Sequence, residues 1–528
     1  MDLTSLFGPD YAVLLLAIAC VASLRYLRSL LDWKARSQGL PLPPGPKPLP
    51  IVGNLFGLPK IKPWSGFQDM RKEHGDLVYL RVFGKGLLVI GSVEVAYEFL
   101  DKRSANTSDR PESPVIGLSG QESNFGLFPY SPWWRQHRRE FWQFFHPGVI
   151  SKYQPTQRTE VRKFLGRLLN SPSRFKSHIE HMSASAILKL VYGIDIVDED
   201  DERIVIPHAA LETTRRSTPA SFAVDLFPIL RHVPSWFPGA GFQKVFAECK
   251  VANDYLKHAP FDEAKEALER GDSRPCIVAD MLARAKMNST DSTDLSDEME
   301  DMVKNVCATT VEASADTSLS TLQAIFVAMA LYPAVQRKAQ AALDAVVGPS
   351  RLPDFTNSAA LPYIHAIVKE ALRWCVVSPL GLAHRTLRDD VFHGCFVPAG
   401  TTVHANAWAM LHDPATYEHP DEFRPERFLR DGLRAPGPTT TALGADSIAF
   451  GFGRRLCPGR HFALESLFIT VASVLHVFDI GLPLDADGAP IQVKFEQSHG
   501  AISYPEDCRC TVTPRSKAAE ALILAAHE

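Results

Sequence analysis

The 528-residue sequence predicts a mostly α-helical protein with small β-sheets, because helical periodicity covers most of the chain and strand patterns are few. Apolar residues recur at helical spacing in six segments, and two shorter stretches alternate around glycine turns. The helical segments are residues 133–145, 157–170, 299–331, 333–346, 362–374 and 459–477, and the strand stretches are residues 77–90 and 391–403.

The composition excludes several classes of protein. Hydrophobic residues make up 45% of the chain, and 56 basic side chains face 60 acidic ones, for a formal net charge of −4. The chain is therefore neither disordered nor a strongly cationic protein, and we expect no nucleic-acid partner. Its nine cysteines have no repeated framework spacing and no Cys-x-x-Cys pair, which indicates reduced thiols rather than disulfides or a zinc site.

The N-terminal segment is apolar over residues 11–24, and positive side chains follow it. This pattern predicts a single transmembrane anchor within residues 1–36, with the bulk of the chain in the cytosol. The alternative is a cleaved secretory signal, but its cations should precede the apolar run, where this chain has Asp2 and Asp10. The cations that follow are Arg25, Arg28, Lys34 and Arg36.

A proline-rich hinge is predicted over residues 37–54, where six prolines fall within ten residues. Proline fixes φ and donates no hydrogen bond, so the segment is a stiff spacer that orients the domain on the membrane. An SH3-type ligand has the same composition. No second linker interrupts residues 55–515, which we interpret as one domain, and residues 516–528 form an alanine-rich C-terminal tail that we expect to be mobile.

A glycine-rich loop presents Cys457 immediately before a long amphipathic helix. A helix N-terminus lowers the pKa of a thiol and favours the thiolate. Pro458 has no N–H, so the amides of Gly459 and Arg460 are the nearest donors to the sulfur. The arrangement suits a metal-bound thiolate, whereas the alternative is an ordinary buried cysteine after a loop.

The loop matches the Phe-x-x-Gly-x-Arg-x-Cys-x-Gly signature of the cytochrome P450 family, with Phe450, Gly453, Arg455, Cys457 and Gly459 at the five fixed positions. This resemblance implies the cytochrome P450 fold and haem b as cofactor. It further implies that Cys457 is the axial iron ligand, that Phe450 packs on the sulfur side and that Arg455 meets a haem propionate.

A second motif places Glu370 and Arg373 three residues apart, on one side of a helix. An exposed pair at this spacing contributes only a few tenths of a kcal/mol, and that is the alternative interpretation. In the family the pair is buried and binds an arginine of a later loop. By resemblance that arginine is Arg424 or Arg427, and Arg427 occupies the Pro-Glu-Arg-Phe position.

Two further motifs resemble propionate-binding segments of the family. Trp134 and Arg138 lie four residues apart, and Arg385 follows His384 in a segment that resembles a short strand. The resemblance makes Trp134, Arg138 and Arg385 contacts of the cofactor. Two buried carboxylates need such cations, since an uncompensated buried charge is very costly.

The long helix at residues 299–331 carries a sequence that resembles the oxygen-handling motif of the family. The resemblance implies that Asp316 and Thr317 deliver protons. The alternative is local, with Thr317 bonding back to the Ala313 carbonyl and Asp316 solvated. Ser314 stands where the family has glycine, which leaves the geometry of the groove open.

The family resemblance spans nearly the whole chain, and the segments at residues 45–54 and 454–460 look most like microsomal fungal members related to O-methylsterigmatocystin oxidoreductase and to mushroom indole and terpenoid hydroxylases. The resemblance implies a single-pass protein of the endoplasmic reticulum that hydroxylates or otherwise oxidises a small apolar specialised metabolite, with terpenoids as the first choice. A haem-thiolate isomerase or dehydratase and a haem sensor or carrier are the alternatives, and the Asp316–Thr317 pair counts against both.

Electrons are expected from an NADPH-cytochrome P450 reductase, with cytochrome b5 as an optional second donor, because the chain has no dinucleotide-binding glycine fingerprint. A local basic cluster indicates where an acidic partner docks, unless it is only a solvated helix face. Its candidate residues are Arg135, Arg139, Arg454 and Arg460. By resemblance, substrate contacts include Phe125, Phe222, Leu380 and Ala501.

Overall fold

The computed structural model describes residues 31–198, 201–219, 221–272, 274–288, 296–430, 433–434 and 444–527, together with Cys20 and Arg28. The apolar run over residues 11–24, on which the predicted anchor depends, lies outside these residues except for Cys20. Within the described ranges the protein is mostly helical with small sheets, so the predicted fold class is confirmed.

Helices form most of the described chain and are numbered α1 to α19 in chain order. They span Pro63–His74, Val93–Ala96, Ser104–Thr107, Pro114–Leu118, Pro132–Phe145, Gln154–Asn170, Phe175–Tyr192, Glu202–Ala210, Glu212–Arg216, Ala223–Leu226, Phe242–Glu269, Ile277–Asn288, Asp297–Leu331, Pro333–Val347, Pro362–Trp374, Ala407–Leu411, Ala445–Ala449, Arg460–Val477 and Lys517–His527. All six predicted helical segments correspond to helices, namely α5, α6, α13, α14, α15 and α18.

None of these helices alone, within the part of the chain that the structure describes, is long and apolar enough to cross a membrane. Only α13 and α14 together reach that length and composition, and they are bent by 104° relative to each other.

Ten short strands, β1 to β10, form one four-stranded and three two-stranded sheets among the described residues. They span Leu77–Val82, Lys85–Ile90, His384–Arg385, Asp390–Phe392, Cys395–Val397, Thr402–Ala405, Leu429–Arg430, Leu433–Arg434, Phe478–Gly481 and Thr511–Pro514. The main sheet has the order β1-β2-β6-β3, with β1 antiparallel and β6 parallel to β2. The β1–β2 pair confirms the first predicted strand stretch.

The second predicted strand stretch divides between two sheets. A tight turn at His393 and Gly394, both with positive φ, joins β4 to β5. The sequence stretch at residues 391–403 also contains a turn at Gly400, which leads out of that hairpin and into β6 of the main sheet. Gly400 therefore connects two sheets instead of closing one hairpin.

The main core lies between α6, α7, α13, α14, α15, α18 and α19. Helix α13 is its central element: 24 of its 35 residues are buried, and its apolar side chains face neighbours on most sides. Ser296 caps its first turn by accepting a hydrogen bond from the Met299 N–H, and acidic residues there complement the helix dipole. The two helices that carry the main sequence motifs, α13 and α18, are thus held in one rigid core.

The proline-rich segment is fastened to the domain rather than free. The Pro44 carbonyl accepts a 2.7 Å hydrogen bond from the Tyr79 N–H of β1. Gly45 lies so close to that strand that an added Cβ would stand 2.0 Å from the Tyr79 carbonyl oxygen. Just before it, Trp33 packs edge-on against Phe396 at 5.3 Å.

The C-terminal residues form the helix α19, so the expectation of a mobile tail is wrong for Lys517–His527. Alanine and leucine favour the helix, and one apolar side is buried against the core. Ile523 is fully buried and Ala519 is 9% exposed in the cluster that also contains α6 and α18.

Candidate functional site

The cysteine loop is closed by its own backbone. The Cys457 N–H donates to the Phe450 carbonyl at 2.9 Å, and the Gly453 N–H donates to the Asp101 carboxylate at 3.0 Å. Gly453 has φ +57°, and an added Cβ would stand 2.2 Å from the Leu100 carbonyl oxygen. Only glycine fits this turn, which fixes Cys457 just before α18.

Two groups of interactions shift the pKa of the Cys457 thiol in opposite directions. Burial raises its pKa, while backbone N–H groups of Gly459 and Arg460 and the guanidinium of Arg138 act to lower it. The predicted amide donors are therefore placed at the sulfur. A coordinating metal ion removes the thiol proton outright, so these donors complete the surroundings of a bound thiolate.

Three arginines gather beside this loop, namely the buried Arg110 and Arg455 and the half-buried Arg138. Arg455 donates to the backbone carbonyls of Ser108 at 2.7 Å and Phe128 at 2.6 Å, but its Nη1 has no hydrogen-bond partner. Arg110 likewise donates only to backbone carbonyls, and Arg138 donates to the Leu456 carbonyl. None of these hydrogen bonds reaches a carboxylate.

The charges of this cluster are uncompensated. Burial and the neighbouring Arg110 lower the pKa of Arg455 to about 8, and burial is the main reason that the pKa of Arg110 and of Arg138 falls to about 10. The nearby carboxylate, Asp109, is already paired with Arg385 at 2.7 Å. Since buried charges are normally paired, the cluster has the character of a receptor for an anionic ligand.

The shape of the site suits a flat ligand between the thiol and the arginines. The Arg455 guanidinium lies 4.1 Å from the centre of the buried Trp134 ring. An added Cβ at Gly459 would meet only the Phe141 ring, at 3.9 Å, so space remains over the thiol loop. A half-buried thiol with amide donors, an open glycine and unpaired cations fit an iron porphyrin with two propionates.

Arg385 differs from its expected place. Its guanidinium binds the carboxylates of Asp109 and Glu112, each at 2.8 Å, instead of joining the unpaired arginines. The preceding residue, His384, is the one affected by the cluster: burial and the charges of Arg110 and Arg455 contribute to lowering its pKa to about 3. His384 is therefore neutral, and the sequence analysis did not select it.

The ion-pair motif is present as predicted. Arg373 donates to both Glu370 oxygens, at 2.8 and 2.9 Å, and the two side chains are fully buried. Arg427 adds a 3.2 Å contact to the same carboxylate. Arg424 contributes only its backbone N–H, at 2.8 Å, so Arg427 is the arginine partner.

The acid and alcohol on α13 are directed to different partners. Asp316 is 1% exposed, and its Oδ1 lies 2.6 Å from Nδ1 of His208 on α8, so it is not solvated. The Thr317 hydroxyl donates to the Ala313 carbonyl at 3.0 Å, and both residues lie on an exposed side of the helix. For Thr317 the local alternative therefore holds in this structure.

A second buried carboxyl, Glu312, lies four residues before Asp316 and was missed by the sequence analysis. Its oxygens accept hydrogen bonds from the amides of Gln121 and Asn124, the latter at 2.8 Å. Burial raises its pKa to about 7, and the charge of Asp316 acts in the same direction. The i, i+4 spacing of two acids is the only sequence signal that marks this position.

We expect the free energy of unfolding to decrease between about pH 4.5 and 7 because of Glu312. The folded-state pKa is raised above the unfolded value, so the contribution is complete at low pH and falls by about 3 kcal/mol as pH rises through that window. Urea unfolding of wild type and Glu312→Gln at several pH values measures the difference. The exposed loop variant Glu122→Gln is the control and should follow wild type; parallel curves for Glu312→Gln and wild type would contradict the assignment.

The four substrate positions are not gathered in one cavity. Phe125 is buried in an aromatic core, 5.7 Å from the Phe141 ring, and Phe222 packs 5.3 Å from Phe246. Leu380 belongs to the cluster beneath the main sheet. The Ala501 N–H donates at 2.8 Å to the carbonyl of Arg215, whose guanidinium lies 3.8 Å from Asp316. The terminal turn thus lies near the acid on α13.

Three of the four arginines in the basic cluster are exposed, and the fourth, Arg460, is half-buried. Arg135 and Arg139 are exposed on α5, and Arg454 is exposed beside them, where it bonds the Tyr130 hydroxyl. Arg135 also lies over the Tyr130 ring at 5.6 Å. Arg460 instead donates to the Cys457 carbonyl at 3.1 Å.

Comparison with known proteins agrees with this site. The cytochrome P450 family model matches residues 43–500. The chain is 40% identical to the cytochrome P450 monooxygenase COX2 of Coprinopsis cinerea over 491 residues, which is 92% of each chain. It is 36% identical over 482 residues to the tryptamine 4-monooxygenase of Psilocybe cyanescens, covering 90% of this chain and 93% of the relative.

The fold and the site define a haem-thiolate oxidoreductase. The chain belongs to the cytochrome P450 family, within a group of mushroom monooxygenases. It is a monooxygenase with haem b as its cofactor, and enzymes of this class use a redox-partner reductase.

Proposed function

We propose that this monooxygenase inserts one atom of O2 into a C–H bond of a small apolar specialised metabolite, while the other atom leaves as water after taking up two protons and, from a redox-partner reductase, two electrons. The observation that carries the proposal is the Cys457 loop, whose thiol has two amide donors beside three uncompensated arginines. Terpenoids are the first substrate class, because the sequence resembles the indole and terpenoid hydroxylases of mushrooms.

In this proposal Cys457 binds the haem iron, and Phe450 and Gly459 shape the sulfur side of the site. Arg110, Arg138 and Arg455 neutralise the two propionates, with Trp134 and the neutral His384 completing their surroundings. Haem b supplies the oxygen-activating chemistry when bound.

The protein's own contribution is to position the substrate and to move protons. Asp316 is held by His208, which is 18% exposed, so a hydrogen-bonded path leads from solvent to the acid. Thr317 lies on the exposed side of α13, where release of its bond to the Ala313 carbonyl would free its hydroxyl to pass a proton onward. The Glu370–Arg373–Arg427 triad has a structural role, holding the core behind the cysteine loop.

Reductase-dependent product formation tests the proposal. The full chain, reconstituted with a fungal NADPH-cytochrome P450 reductase and 18O2, should form products carrying one labelled oxygen from terpenoid substrates. An indole amine belongs in the same panel, because one relative is named for tryptamine and Glu312 offers a buried carboxyl with no nearby cation among its described contacts. Unlabelled product, or product without reductase, would instead favour an isomerase or dehydratase.

We expect the reductase to dock at the surface around Tyr130. Replacing both Arg135 and Arg454 by alanine should raise the reductase concentration for half-maximal turnover by roughly tenfold at low salt, because a positive patch speeds association with an acidic partner. The exposed Arg270 lies outside this surface, and Arg270→Ala is the matched control. Unchanged turnover and salt dependence in the double variant would remove this surface from the interaction. Cytochrome b5 is the second donor to test there.

We further propose that the domain lies on the cytosolic face of the endoplasmic reticulum, held by a single-pass anchor. Two neighbouring segments present exposed apolar side chains, and the Phe83 and Phe227 rings, 4.8 Å apart, join them. Such surface suits a bilayer interface. The exposed side chains are Ile51, Phe56, Ile61, Ile229, Trp236 and Phe237.

Trp236 reports this contact directly, since it is 79% exposed in the structure. For the full chain in vesicles, brominated phospholipids should quench part of the tryptophan fluorescence, and Trp236→Phe should abolish that part. The buried Trp64 is the control, so Trp64→Phe should leave the quenching unchanged. Equal quenching in the Trp236→Phe variant would show that this face stays in water.

A further inference from the structure

A small polar cavity lies where α6, α7, α13 and α18 meet. Its volume is about 20 Å³, which is enough for one water molecule. The cavity separates the helix that follows Cys457 from the helix that carries Asp316 and Thr317. Its polar lining consists of Gln157, Glu160, Ser183, Ser314, Ser318 and Ser466.

Two acceptor atoms in this lining have no partner. Gln157 Oε1 and Glu160 Oε2 are buried without a hydrogen bond, and the two residues are only 2% and 1% exposed. Their other polar atoms are engaged: Gln157 donates to the Phe462 carbonyl at 3.4 Å, and Glu160 Oε1 accepts from Lys163 at 2.8 Å. An unsatisfied buried acceptor is unfavourable, so both atoms call for a donor.

We propose that this cavity binds a single ordered water molecule, which donates one hydrogen to Gln157 Oε1 and the other to Glu160 Oε2. A water molecule offers two donors, which matches the two unpaired acceptors. A hydroxyl of Ser183, Ser318 or Ser466 supplies the hydrogen bond that its oxygen accepts. A buried water normally makes about three such bonds. This site does not depend on the proposed substrate or redox partner.

A metal cation fits the same cavity less well. The charge of Glu160 is already compensated by Lys163, whose ammonium nitrogen lies 2.8 Å from the carboxylate. A second cation would bring an unbalanced positive charge into the core, at a large desolvation cost. A neutral ligand with two donors satisfies the acceptors without that cost.

The proposal also gives Ser314 a role. Its hydroxyl donates to the Val311 carbonyl at 2.9 Å, so its hydrogen is already used, and the residue forms part of the cavity wall. The side chain that stands where the family has glycine therefore belongs to the water site. Through the water, α6 and α18 are coupled to the segment of α13 that precedes Asp316 and Thr317.

A high-resolution crystal structure of the holoenzyme tests the site directly. We expect one peak of density within hydrogen-bonding distance of both Gln157 Oε1 and Glu160 Oε2, refining as water. An empty cavity overturns the proposal, as does a peak with the short oxygen distances of a coordinated metal ion.

A double-mutant cycle tests it in solution. Ser318→Val fills the cavity and expels the water, so both acceptors lose their donor and the Tm of the holoenzyme should fall by several degrees. The smaller Ser318→Ala controls for loss of the hydroxyl and should cost less. In a Gln157→Leu/Glu160→Met background the acceptors are gone, so Ser318→Val should lower Tm much less. Equal costs in both backgrounds would show a purely steric effect and refute the site.

Discussion

Replacing Cys457 by alanine should abolish the strongly red-shifted Soret band that carbon monoxide gives with the reduced enzyme, and product formation should fall to background. The expected effect is this large because no other described thiol lies beside the unpaired arginines, and because thiolate ligation gives the cofactor its oxygen chemistry. The measurement is a reduced-minus-oxidised difference spectrum on membranes that contain equal amounts of each variant. Cys395→Ala, at a partly exposed free thiol, is the matched control and should resemble wild type.

A companion variant separates ligation from retention of the cofactor. Arg455→Gln removes a buried cation but leaves the cysteine loop, so the remaining haem should keep the red-shifted band while the haem content per protein falls. If the Arg455→Gln variant retains full haem content, Arg455 does not bind the haem propionates. If Cys457→Ala keeps the red-shifted band, the central assignment fails.

Replacing Glu370 by alanine should be the most destabilising single change in the core. The carboxylate is shared by Arg373 and Arg427, which are 0% and 11% exposed, and its removal leaves both cations without their partner. Loss of one member of a buried ion pair costs about 3–5 kcal/mol. Thermal unfolding and the yield of haem-containing protein measure the effect.

The neighbouring loop provides a matched control for this prediction. Glu426 pairs with Lys338 at 2.8 Å, but both side chains are about half exposed, and such pairs contribute at most about 1 kcal/mol. Glu426→Ala should therefore change stability little. Similar losses of stability for Glu370→Ala and Glu426→Ala would show that burial does not increase the contribution of the Glu370–Arg373–Arg427 triad to stability.

Helix α15 was predicted from the sequence, whereas α7 and α11 were not, and the difference lies in their patterns of apolar residues. Residues 362–374 match α15 at both ends, because Pro362 opens the helix and its apolar stripe is clear. Helix α7 was not predicted, since 13 of its 18 residues are buried and no polar side sets a period. Helix α11 contains Pro260, which interrupts the usual pattern.

Those parts of the candidate site that lie in one continuous motif could be predicted from the sequence, whereas those brought together from distant parts of the chain could not. Cys457 and its amide donors lie in one continuous motif, so their arrangement followed from the sequence. Arg110 enters the site through carbonyls some 270 residues away along the chain, which no local pattern reveals. The choice between His384 and Arg385 depends on which side of β3 faces inward, because neighbouring strand residues point to opposite sides.

Residues 33–54 are bound to the domain, so this N-terminal segment is not free to move relative to it. Trp33 is held by Phe396, and nearby Arg36 forms a 2.6 Å ion pair with Asp389. A pull or twist applied at Leu31 is therefore transmitted to the sheet region within a few residues, instead of being absorbed by a loose tether. Residues 33–54 and the domain therefore change orientation together. The direction in which the chain runs at Leu31 fixes the direction in which the active site faces.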